Sequence, residues 1–73
     1  MYKFVVMGSE IGSMPLKRRQ VILSGKIKDP DKDITTHKLK GDAYQAMYRI
    51  VTAKGDIIYL NTYDVGEFRF IPI

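Results

Sequence analysis

Apolar side chains recur along this chain in short runs separated by polar and glycine-rich breaks, the spacing of strands rather than of long helices. Tyr2-Lys-Phe-Val-Val-Met7 is rich in β-branched and aromatic residues and predicts a first strand. Gly8 to Pro15, with two glycines, two serines and a proline, has loop composition. A second strand is predicted from about Arg19 to Lys28, centred on Val21-Ile-Leu23, with Gly25 marking a bulge or a bend. Lys28-Asp-Pro-Asp-Lys-Asp33 reads as a turn, because Pro30 fixes φ and lacks a donor while the aspartates cap local amides. Ile34 to Lys40 alternates loosely, as a short edge strand or an extended loop, and lysines suit an edge because charge blocks sheet-to-sheet association.

The segment from Tyr44 to Ile73 holds four of the five tyrosines and two of the three phenylalanines. Within it Tyr48 to Leu60 reads as two β-rich runs around Gly55-Asp56, a hairpin. A helix over about 43–54 is the alternative: Ala43, Ala46, Met47 and Ile50 fall at helical spacing, with Asp42 as cap and Gly55 as terminator. Tyr48, Ile50, Val51 and Thr52 favour the strand. Asp56 to Thr62 is the clearest strand of all. Asn61 to Gly66 predicts a turn with a 3₁₀ element around Tyr63 and Asp64, and Phe68 to Ile73 predicts a closing strand.

The expectation is therefore an all-β, mainly antiparallel fold in one domain spanning 1–73, a small five-stranded barrel of SH3-like or OB-like layout. The helix at 43–54 would make it α+β instead. With 73 residues, the core supplies only about 3–5 kcal/mol of net stability. A deep catalytic cleft would consume much of it.

Charge then sharpens the picture. The chain carries +4 overall, but residues 17–40 hold eight of the twelve basic side chains against Asp29, Asp31 and Asp33, a local +5. A positive field of this kind speeds encounter with anionic partners and makes affinity depend on salt. Lys17, Arg18 and Arg19 form the densest run, and Lys26, Lys28, Lys38 and Lys40 lie in the neighbouring segments. If the second strand pairs with 34–40, these lysines share one sheet surface. Tyrosine faces stack on unpaired bases and also favour protein interfaces. Tyr63, in a polar turn, is the tyrosine expected to be exposed. Tyr59 and Tyr63 share a strand face with Ile57 and Asn61, so at least one of the two is expected in the core.

Catalytic and metal chemistry find little footing. His37 is the single histidine, and no nucleophile or ligand stands at a recognisable spacing from it. Asp29-x-Asp31-x-Asp33 imitates the opening of a calcium loop, but Ile34 and Lys40 stand where that loop needs glycine and glutamate. Gly8-x-x-x-Gly12 lacks the lysine and hydroxyl of a P-loop. No enzyme activity, cofactor or metal is expected. There is no cysteine, which excludes a disulfide framework and favours an intracellular protein. No apolar run approaches the roughly 18 residues that span a bilayer, and the opening run is too short for a signal peptide. A cytoplasmic location without membrane partners is the expectation.

Two functions remain. One is nucleic-acid binding with little sequence selectivity, through Lys17, Arg18, Arg19, Lys26, Lys28, Lys38, Lys40 and the exposed Tyr63. The other is a protein–protein interaction module that docks on an acidic surface or extends a partner's sheet: an adaptor, a subunit or a small inhibitor, of a size that suits a phage or mobile-element product. Homo-oligomerisation is a further alternative.

Overall fold

The computed structural model describes residues 1–9, 19–38 and 46–73. Among these residues the chain forms six strands: β1 (Tyr2–Gly8), β2 (Val21–Ile27), β3 (Ile34–Lys38), β4 (Ala46–Val51), β5 (Ile57–Asn61) and β6 (Val65–Pro72). One helical turn, α1 (Pro30–Asp33), lies between β2 and β3, and a 3₁₀ turn over Thr62–Asp64 lies between β5 and β6.

All strand pairs are antiparallel, and they form two three-stranded sheets, β2-β1-β6 and β3-β4-β5. The mainly antiparallel β expectation holds. A closed five-stranded barrel is not shown: the described residues form six strands in two open sheets. The break falls at Asp29-Pro30. Pro30 cannot donate to a ladder and sits at the start of a helical turn. The Asp31 amide donates to Asp29 Oδ1 at 3.0 Å, and the Asp29 amide donates to Asp33 Oδ2 at 3.1 Å. The aspartates cap themselves, and the chain leaves β2 in one sheet and enters β3 in the other. The helix considered over 43–54 is also overturned: Ala46–Val51 is strand, while 43–45 lie outside the described residues. The β-branched run Ile50-Val-Thr52 gains more from pairing with Ile57 and Ile58 than helical spacing offers.

Side chains alternate across each strand, so the register sorts them into faces. In the first sheet Phe4 opposes Gly25 and Phe70, and Val6 opposes Leu23 and Phe68, on the inner face. In the second sheet Ile50 stands between Ile34 and Ile58, and Tyr48 between Thr36 and Leu60. The core lies where these faces meet. Phe4, Val6, Ile27 and Ile50 are 0 % exposed, with Tyr2, Leu23, Ile34, Ile58, Leu60, Val65 and Phe68 packed around them. The Tyr48 and Phe68 rings meet edge to face across the joint at 5.0 Å, a favourable quadrupole geometry.

Gly25 is explained by close approach rather than by a bulge. A Cβ there would stand 2.9 Å from Phe4 Cε1, so the bare glycine admits the ring. The register irregularities lie instead opposite the end of β1: Ile22 is the extra residue of β2 between the partners of Val6 and Met7, and Gly66 the extra residue of β6 between the partners of Met7 and Gly8. The β4–β5 turn closes with the Gly55 amide donating to the Thr52 carbonyl at 2.9 Å. Gly55 has φ +90°, a conformation side-chain-bearing residues resist. The same turn touches the other sheet, the Ala53 amide donating to the Lys26 carbonyl at 2.9 Å.

Candidate interaction surface

Of the basic residues singled out above, the described ones, Arg19, Lys26, Lys28 and Lys38, do not share one sheet. β2 pairs with β1 and β3 pairs with β4, so Lys26 belongs to the first sheet and Lys38 to the second, while Lys28 lies in the bend just after β2. The condition that would have gathered them, pairing of β2 with the 34–40 segment, is not met. Lys17, Arg18 and Lys40 lie outside the described residues. Arg19 is part-buried and acts inside the fold: Nη1 donates to the Gly8 carbonyl at 3.4 Å, and Nε lies 3.9 Å from Glu67 Oε1. A Cβ on Gly66 would collide with Arg19 Nη1 and the Gly8 carbonyl, so the guanidinium lies across the β1–β6 junction. Lys28 shares a shallow depression with Asp29, Asp31, Tyr2 and Phe70, where carboxylates dilute its charge.

Two cations that sequence reasoning passed over stand near Lys26. Lys3 lies directly opposite it across the β1–β2 ladder, both side chains exposed on the outer face. Lys54 and Lys26 are both among the residues that line a cleft of about 430 Å³ between β2 and the β4–β5 turn, together with Phe4, Asp56 and Ile58. The alternation of β1 already put Lys3 on the face opposite Phe4. Only the register with β2 shows that it faces Lys26.

The outer face of the second sheet has a different character. The register sets Thr35, Arg49 and Tyr59 in one row, His37, Met47 and Asn61 in the next, and Val51 beside Ile57. Tyr59 is 55 % exposed and Ile57 49 %. No carboxylate among the described residues forms an ion pair with Arg49. Thr35 Oγ1 and His37 Nε2 are 3.0 Å apart, a short-range bond between exposed neighbours on one strand. Tyrosine, methionine and arginine are the residue types enriched where proteins meet.

Tyr63 is exposed as expected, at 70 %. Its amide donates to Asn61 Oδ1 at 3.0 Å and its carbonyl accepts from Ser9 Oγ at 3.3 Å, so the backbone is pinned while the ring faces outward. The expectation that Tyr59 or Tyr63 enters the core is corrected: both are exposed. β5 ends at Asn61, so the two never share one strand, and Ile58 and Leu60 supply the inner face instead.

Among the described residues no group of three histidine, cysteine or acidic side chains is arranged to hold a metal ion. No helix among them is long and apolar enough to cross a membrane. The sequence matches no protein-family model and no curated protein, and the fold matches no solved structure.

Proposed function

We propose that this chain is a non-catalytic binding module whose partner is a protein. The observation that carries this is the outer face of β3-β4-β5, where Tyr59, Ile57, Met47 and Val51 surround Arg49 on an open sheet. A flat face of this composition offers aromatic and aliphatic area with one guanidinium at its centre, suited to a partner that presents a carboxylate. The strand order supports an SH3-like layout. β1 is flanked by β2 and β6, β3-β4-β5 is a meander, and a 3₁₀ turn precedes the last strand. On this view β2 and β3 are the two halves of one bent strand, parted by α1.

The test is capture by the tagged full chain from extracts of the cells that make it, with and without nuclease. A stoichiometric protein complex that survives nuclease is expected, and Tyr59→Ala should weaken it by about 30-fold or more, the scale of an interface hot spot. Loss of the complex on nuclease treatment, with Tyr59→Ala silent, would overturn the proposal.

Nucleic-acid binding stands as the second reading, favoured by one observation: Lys3 and Lys26 oppose each other with Lys54 close by, a cluster of like charge that a phosphate backbone would neutralise. Affinity should then be measurable at about 50 mM salt and fall with a steep salt slope, which Lys26→Glu flattens.

A further inference from the structure

The free edge of β6 carries a self-complementary pattern. Among the described residues β6 pairs only with β1, and its last four residues are exposed. The Ile73 amide donates to the Met1 carbonyl at 3.1 Å, so that pair is a hydrogen-bonded one. Alternation along the register makes Lys3–Ile71, Val5–Arg69 and Met7–Glu67 hydrogen-bonded pairs as well. Phe68 and Phe70, opposite Val6 and Phe4, therefore turn their N–H and C=O groups away from β1, toward the open edge. Pro72 falls in the same phase, and its missing N–H ends the usable edge there.

We infer that this edge is a dimerisation surface, on which a second copy of the chain pairs β6 with β6 antiparallel about a two-fold axis at Phe68. Charge selects this register. Centred on Phe68, Glu67 faces Arg69 of the second copy, twice by symmetry, and Phe70 faces the side-chain-free Gly66 of the second copy. Centred on Arg69 or on Glu67, like charges would oppose each other. Centred on Phe70, Phe68 would meet Pro72 and lose a donor. Within one chain Glu67 already accepts from Arg69 at 2.8 Å, on the outer face, where both remain available to a neighbour. The resulting sheet is isologous, ordered β2-β1-β6-β6-β1-β2. It uses a different sheet from the protein-binding face proposed above, so each proposal can fail alone.

The test is the mass of the full chain in solution by sedimentation equilibrium. A dimer is expected. Arg69→Glu, which leaves the Arg19–Glu67 contact in place, should weaken it by about tenfold. Phe70→Pro removes an outward donor without touching a β1 bond and should give a folded monomer. Arg69→Glu mixed with Glu67→Arg should form a heterodimer, because each strand then meets the opposite charge. If Glu67→Arg fails to fold, the first two variants still decide. A monomeric mass at about 1 mM chain would overturn the inference, as would a dimer indifferent to both Arg69→Glu and Phe70→Pro.

Discussion

Phe4 is sealed in the core with its ring against the bare Cα of Gly25, so one side chain supports both the β1–β2 ladder and the joint between sheets. Phe4→Ala should cost about 3–5 kcal/mol. That equals the about 3–5 kcal/mol a core of this size supplies. The variant is expected to show no cooperative urea transition, while Phe4→Leu retains one. Gly25 and Gly55 should both resist alanine, for different reasons. At Gly25 the obstacle is the fully buried Phe4 ring, and Gly25→Ala should cost about 1–3 kcal/mol, an effect that Phe4→Leu partly relieves. At Gly55 nothing lies within 4 Å of an added Cβ, so the cost is in the backbone alone. Gly55→Ala should lose about 1–2 kcal/mol, and Gly55→Asn should lose less, because asparagine tolerates left-handed φ. Urea midpoints at constant slope would read all of these.

At the level of elements, period-two alternation made most strands legible, since local sequence carries it. β1, β2, β5 and the closing strand were readable, as was the 3₁₀ turn at Tyr63 and Asp64. The hairpin prevailed over a helix near Tyr48 because its β-branched residues find partners in Ile57 and Ile58. Strand partnership was not legible. That β2 chooses β1 rests on Phe4 meeting Gly25, twenty-one positions apart, and no local pattern records it. For the same reason Arg19 read as a free cation, although Glu67 that holds it lies far along the chain. Of the candidate site, the exposure of Tyr63 was readable, whereas the Lys3–Lys26 pair was not. This pair yields its own expectation: Lys26→Glu should raise stability by about 0.2–1 kcal/mol, a gain that shrinks with added salt. Urea titrations at low and high ionic strength would show it. A one-turn helix depends on its cap, and Asp29→Ala should cost about 1 kcal/mol in the same assay.

On the scale of the whole molecule, neither sheet closes a core alone. Phe4, Val6 and Ile27 come from the first and Ile50 from the second, so loss of either face exposes the other. A single unfolding transition is expected, with tyrosine fluorescence, to which Tyr48 at the joint contributes as one of five tyrosines, coinciding with far-ultraviolet circular dichroism. Separate midpoints would mean that the sheets are independent units. One backbone contact makes their association directly observable. The Ala53 amide is bonded to neither neighbouring strand of its own hairpin but to Lys26 across the gap. Its solvent exchange rate is therefore a built-in gauge of how often the halves come apart, and any ligand that clamps them together would slow that one proton first.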